Sequence, residues 1–221
     1  MTRRPPRLPL GPGGFARVTN VSRETLDRLT AYVELLTAWN RRINLVGRDT
    51  MGDVWRRHIL DSAQLHPLVP REARVLVDLG SGAGLPGLIL SILGVPEVHL
   101  IESDARKAVF LREAIRVTGA AATVHATRID RIKPFVADVV TARALAPVGE
   151  LLQISQPFLG PRTLCLFLKG RNVEEELTGI DKAWNMRLRR SPSLSDPSGC
   201  ILRLENISRD PSAGTVRDDC D

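Results

Sequence analysis

The sequence predicts an α/β fold: a Rossmann-like, mostly parallel sheet with a C-terminal antiparallel hairpin, preceded by a small helical extension. Three observations predict it. From residue 74 onward, short runs rich in Val, Leu and Ile alternate with stretches at helical spacing. The first run, RVLV, leads straight into DLGSGAGLPG (78–87), ten residues with four glycines and one carboxylate. Before residue 72 the apolar residues recur only at helical spacing.

In chain order, residues 1–18 are rich in Pro, Gly and Arg and read as a flexible basic tail that includes Arg3, Arg4 and Arg7. A helical extension follows over 19–72. Ser22 caps its first helix, in which Leu26, Leu29, Val33 and Leu36 share a face, ending near Trp39 or Asn40. A second helical stretch runs from Val54 to Leu65. The sheet domain spans 73–207. Its strands fall at 74–79, 97–102, 122–126, 137–142 and 163–169. Helices are expected from Pro86 to Leu93, Asp104 to Thr118, Val148 to Phe158 and Asn172 to Trp184. NMRLRR (185–190) and CILRLENI (200–207) close the sheet as a hairpin, and 208–221 reads as a second flexible tail.

Composition narrows the function. A 43% hydrophobic and 25% charged chain is ordinary for a soluble globular protein. The longest apolar stretch, Leu85 to Val95, is broken by Pro86, Gly87 and Gly94 and is too short for a bilayer. The N-terminus has no apolar segment of the signal-peptide kind. The 3 cysteines offer no C-x-x-C pair, which fits a reducing cytoplasm and no metal. Residues 1–72 hold 12 Arg against 7 acids, so nearly all of the net +6 precedes the glycine loop. A basic extension beside a ligand-binding sheet points to a polyanionic partner or to a basic solvated face.

The loop admits two cofactors. Gly82, Gly84 and Gly87 form a literal G-x-G-x-x-G, the dinucleotide fingerprint. Gly80, Gly82 and Gly84 form G-x-G-x-G two residues after Asp78, the pattern of methyl donors. Asp78 favours the second: a carboxylate is unhelpful to a pyrophosphate but suits the ammonium and sulfonium charges of S-adenosyl-L-methionine. Glu102 ends the next strand, where an acid binds ribose hydroxyls in either class.

Seven blocks in order, WNRRINLVG (39–47), RHILDS (57–62), DLGSGAGLPG, ESDARKAVFL (102–111), TRID (127–130), TARALA (141–146) and FLKG (167–170), resemble the bacterial glucose-inhibited division protein B family, the RsmG methyltransferases. The resemblance covers about residues 22–207. It implies a class I methyltransferase sheet and methylation of N7 of one guanine of 16S ribosomal RNA near the decoding centre. It places the donor site on Gly80, Leu85, Ile129, Asp130 and Arg143, with Ile129 and Asp130 reading the adenine. The family usually has Glu at Asp130 and Ser at Ala142.

Guanine N7 carries a lone pair and no proton, so its methylation needs alignment and no general base. The chain lacks [DN]-P-P-[FYW], the mark of exocyclic amine methylation, and Cys165 lies inside an apolar strand. Arg143 follows the fourth strand and is the expected positioning group for substrate and donor. Arg41, Arg42, Arg48, Arg56 and Arg57 are the expected phosphate contacts. His58 is a further RNA or substrate contact or else a satisfied core or surface residue, and Lys169 touches RNA or the loop after Arg143 or else is solvated. The expected partner is 16S ribosomal RNA or the small ribosomal subunit, with no membrane and a monomeric enzyme. Three rivals remain: a small-molecule methyltransferase, an NAD-dependent oxidoreductase, and a non-catalytic RNA-binding module.

Overall fold

The computed structural model describes residues 9–210. Its sheet contains β1 (Val75–Leu79), β2 (Glu97–Ile101), β3 (Ala122–His125), β4 (Val139–Arg143), β5 (Leu164–Lys169), β6 (Trp184–Pro192) and β7 (Cys200–Arg209). The strands lie in the order β3-β2-β1-β4-β5-β7-β6. β1 to β5 pair in parallel, and β7 runs antiparallel to both β5 and β6. The chain builds outward from β1 first on one side and then on the other. The switch point therefore falls between β1 and β4, where Leu79 pairs Ala142. Loops leaving the carboxyl ends of those two strands form the natural ligand crevice of such a sheet.

The helices are α1 (Pro12–Thr19), α2 (Arg23–Asn40), α3 (Asp61–Ala63), α4 (Gly87–Ile92), α5 (Ala105–Thr118), α6 (Val148–Ser155) and α7 (Val173–Thr178). A π-helical turn, Trp55–Leu60, runs directly into α3. Ser22 caps α2 by accepting the Thr25 N–H at 3.1 Å, and Asp104 caps α5 through the Arg106 N–H at 2.8 Å.

Alternation along the strands divides the core. Leu76, Val98, Leu100, Val139 and Leu166 face one side, together with Tyr32, Leu36, Ile59, Leu88 and Phe110. Val77, Leu79, Val140, Cys165 and Phe167 face the other, against Leu151, Leu152, Trp184 and Leu204. Both faces are covered, which is why the parallel strands read as continuous apolar runs.

The N-terminal extension shares the first of these cores. Arg28 of α2 donates from Nε to the Thr118 carbonyl at 2.6 Å and from Nη2 to the Gly119 carbonyl at 3.1 Å, gripping the end of α5. Tyr32 donates its hydroxyl to the Ala83 carbonyl at 2.6 Å, inside the glycine loop. The extension thus braces the ligand crevice from one side.

Four expectations are corrected. Residues 12–18 are helical, not a tail. Pro12 suits the first helical turn, and Phe15 is fully buried, its ring 5.5 Å from that of Trp55. That burial is worth about 2–3 kcal/mol and outweighs the glycine content of the segment. Residues 208 and 209, expected to open a tail, belong to β7, which continues to Arg209. The helix expected to reach Trp184 ends at Thr178 before Gly179, and Trp184 instead starts β6 with its ring buried. The hairpin is longer than expected, 184–192 with 200–209. Residues 1–8, with Arg3, Arg4 and Arg7, and residues 211–221 lie outside the described part. Among the described residues no helix is long and apolar enough to cross a membrane.

Candidate active site

The glycine loop is set by close approach. Gly84 has φ +83°, and a Cβ there would stand 2.7 Å from Leu88 Cβ. At Gly87 a Cβ would stand 2.5 Å from Asp78 Cβ and 2.8 Å from a Leu100 methyl. The start of α4 therefore lies directly against the Asp78 side chain, and only glycine fits.

Asp78 is completely buried. Its Oδ1 accepts the Thr141 hydroxyl at 2.7 Å, while Oδ2 has no hydrogen-bond partner. Burial pushes its pKa up to about 6, partly offset by the Thr141 hydroxyl. Glu102 is 7% exposed. It clasps the loop to the end of β2: Oε2 accepts the Gly82 N–H at 2.8 Å and Oε1 the Asp104 N–H at 2.7 Å. Each carboxylate oxygen keeps a second lone pair for a ribose hydroxyl.

A pocket of about 290 Å³ opens beside the loop, lined by Gly80, Ile101, Ser103, Ile129, Asp130 and Leu145 among others. The structure thus brings Gly80, Ile129 and Asp130 together. Asp130 is held by Arg128, Nη2 to Oδ2 at 3.0 Å, which lowers its pKa. Leu145 lies over Gly80; a Cβ on Gly80 would meet its methyl at 2.6 Å. Asp78, Gly82, Gly84, Leu85 and Glu102 frame the loop and do not line this pocket, nor does Arg143, which the family resemblance places in the donor site and which lines a second pocket instead. Leu85 is buried at 7% exposure.

A second pocket, about 340 Å³, lies at the carboxyl ends of β4 and β5 and includes Arg57, Asp61, Arg143, Lys169, Glu176 and Asp196 in its walls. These six form three ion pairs. Arg57 Nη1 meets Asp196 Oδ2 at 2.7 Å. Arg143 Nη1 approaches Asp61 Oδ2 at 3.3 Å, though without hydrogen-bond alignment. Lys169 Nζ pairs with Glu176 and also donates to the Ala146 carbonyl at 2.9 Å. Ser195 hydrogen-bonds Asp61, so the β6–β7 loop closes one wall.

Arg143 is anchored further. Its Nη2 donates to the Arg57 carbonyl at 3.2 Å, within the π-helical turn, and to His58 Nδ1 at 2.8 Å. Single π turns recur at functional sites. His58 Nε2 meets Thr50 Oγ1 at 2.7 Å. Burial, with the charges of Arg143 and Arg57, pushes the His58 pKa down to about 3, so the ring is neutral at physiological pH.

The expected RNA contacts divide accordingly. His58, at 3% exposure with both ring nitrogens engaged, does not face solvent. Lys169, with a side chain 7% exposed, is spent on Glu176 and the loop after β4. His58 is thus the satisfied core histidine that was the alternative to an RNA contact, and Lys169 takes the alternative contact to the loop after Arg143. Arg56 and Arg57 are half-buried and paired with Asp53 and Asp196. Arg41, Arg42 and Arg48 are exposed. Arg41 and Arg48 share a shallow pocket with Thr37, Asn40 and Met51. Arg42 borders another with Trp39, Ile43 and Arg106.

Several residues at these sites were not expected from the sequence, Leu145, Glu176 and Asp196 among them. Tyr32 and Thr50 give no local signal, and Thr141 is one strand residue among several. Asp61 had one: it follows His58 by three positions, on the same helical face. Cys165 is fully buried, and burial pushes its thiol pKa up, away from nucleophilic use. Among the described residues no cluster of three or more His, Cys, Asp or Glu is placed to hold a metal.

Comparison with known proteins follows the same outline. The family described as rRNA small subunit methyltransferase G (GidB) matches residues 25–196. The chain is 59% identical over 194 residues to ribosomal RNA small subunit methyltransferase G of Rhodospirillum centenum, covering 88% of this chain and 90% of that protein. It is 55% identical to the protein of that name from Paramagnetospirillum magneticum, covering 90% and 98%. Solved structures share the fold at low identity. A putative O-methyltransferase from Klebsiella pneumoniae is 13% identical with a TM-score of 0.59, covering 90% of this chain and 97% of that one. M. jannaschii TYW2 in complex with AdoMet is 15% identical with a TM-score of 0.54, covering 69% and 76%. The sheet is that of the class I methyltransferases.

Proposed function

The chain belongs to the rRNA small subunit methyltransferase G family, and on that premise we propose that it transfers a methyl group from S-adenosyl-L-methionine to N7 of one guanine of 16S ribosomal RNA near the decoding centre. The observation that carries the N7 chemistry is the pairing of the charges around Arg143. Asp61, Asp196, Glu176 and Lys169 are each already engaged in an ion pair. A pocket whose acids and amine are all paired suits an acceptor that gives up no proton.

The residues present fit the donor. It supplies an electrophilic methyl on a positively charged sulfur. Asp78, buried with one unpartnered oxygen, provides negative potential behind the glycine loop. Glu102 offers its remaining lone pairs to the ribose hydroxyls, and Ile129 with Asp130 lies where an adenine edge is read. Leu145 closes over Gly80 at the edge of the donor pocket. Arg143 orients the guanine from the adjoining pocket; because N7 must stay free, its contact is to O6 or a phosphate. The work is alignment and desolvation.

Arg41, Arg42 and Arg48 are the phosphate contacts of this reading. Replacing all three by Gln is expected to weaken RNA binding and to reduce the slope of log K against log salt by about 2–3. Donor affinity, measured by calorimetry, stays within about twofold of wild type. An unchanged slope would favour a small-molecule substrate instead.

A further inference from the structure

The hydrogen bonds around His58 have a single polarity. A guanidinium only donates, so the 2.8 Å contact from Arg143 Nη2 makes His58 Nδ1 an acceptor without a proton. The proton of the neutral ring is then on Nε2, which donates to Thr50 Oγ1 at 2.7 Å. Thr50 donates its own hydroxyl to the Gly47 carbonyl at 2.6 Å. Every member of the chain from Arg143 to Gly47 donates in one direction. The other tautomer would set an N–H against the guanidinium, and a charged ring would repel it.

We propose that His58, fixed as its Nε2–H tautomer by Thr50, is a positioning residue that aims the Arg143 guanidinium at the acceptor pocket. The proposal rests on the function assigned to Arg143 above. His58 itself is 3% exposed and does not line that pocket. Its role is to supply a neutral acceptor beside the Arg57 carbonyl, where the contact of Nη1 with Asp61 lacks hydrogen-bond alignment. The link also ties the turn that carries Arg48 to the site of transfer, since Thr50 lies in the same turn, Arg48–Asp53.

Two isosteres separate the two ring nitrogens. Asn places an oxygen acceptor at the Nδ1 position and loses the Thr50 contact. Gln keeps a donor near the Nε2 position and loses the acceptor for Arg143. In full-length protein, with methyl transfer to small subunits as readout, His58→Gln is expected to lower kcat at least tenfold, with KM for RNA and donor Kd within about threefold. His58→Asn recovers turnover to within about threefold of wild type. Thr50→Val, which frees the tautomer, lowers kcat in the wild-type background and has no further effect in the His58→Asn background. Wild-type kcat in His58→Gln, or equal damage in both isosteres, overturns the proposal. Ring-nitrogen NMR of the wild-type protein at neutral pH tests the tautomer without any activity. Nδ1 unprotonated and Nε2 protonated supports it, and the reverse overturns it even where methyl transfer to RNA has failed.

Discussion

Arg143→Ala is expected to lower methyl transfer at least about a hundredfold, or ~2.7 kcal/mol of barrier, while donor affinity stays within about threefold. The guanidinium leaves the end of β4 and is held on three sides, by the Arg57 carbonyl, His58 Nδ1 and Asp61. Its side chain is 21% exposed, so one edge remains open toward the pocket. Its removal also strands His58 and Asp61, at a folding cost of about 1–3 kcal/mol and a Tm loss of a few degrees per kcal/mol. The two effects separate cleanly. Turnover is measured well below the melting transition, and Tm reports the folding loss alone. A variant that turns over like wild type would remove Arg143 from the mechanism.

The second large effect concerns Asp78. With its pKa raised to about 6 by burial, it is ionised at pH 7.5 and protonated at pH 5 in the free protein. A cationic donor favours the ionised form. Its affinity is therefore full well above pH 6, about halved at pH 6 and expected to be about tenfold weaker at pH 5 than at pH 7.5, because binding must first release the proton. Stability moves in the opposite sense. The folded pKa lies above the unfolded value near 3.8, so the cost of the buried charge disappears as pH falls below 6. Asp78→Asn should flatten the affinity profile and weaken donor binding at pH 7.5 by about tenfold or more. Calorimetric titration across pH 5–8 checks both. A wild-type affinity independent of pH in this range would show that the Asp78 charge is not felt by the donor.

The elements most legible in the sequence were those whose signal is local. β1, β4 and β5 are buried on both faces over most of their length, so each is a largely apolar run bounded by turns. The glycine loop declares itself because it lies between β1 and α4 in ten consecutive residues. α1 was hidden by its Pro and Gly, because the contact that orders it is Phe15 on Trp55, 40 positions away by their numbers. The same holds at the site. Arg57 reaches Asp196 across 139 positions and Arg143 reaches His58 across 85. No local pattern marks such pairs. Sequence alone cannot separate a phosphate-facing cation from one with a distant protein partner: Arg57 and Lys169 have such partners, whereas Arg41, Arg42 and Arg48 are exposed. Asp78 shows the converse. Its position beside the loop was legible, but its complete burial was not, since that depends on Gly87 packing against it from the start of α4.

The central claim is tested most directly by transfer of labelled methyl from S-adenosyl-L-methionine to small ribosomal subunits and to deproteinised 16S ribosomal RNA, both from cells lacking this activity. The product is mapped by cleavage at 7-methylguanine. The account predicts label on one guanine, cleaved as its N7-methyl form, near the decoding centre. Absence of label on either substrate while the donor binds, or label that resists this cleavage, would contradict it.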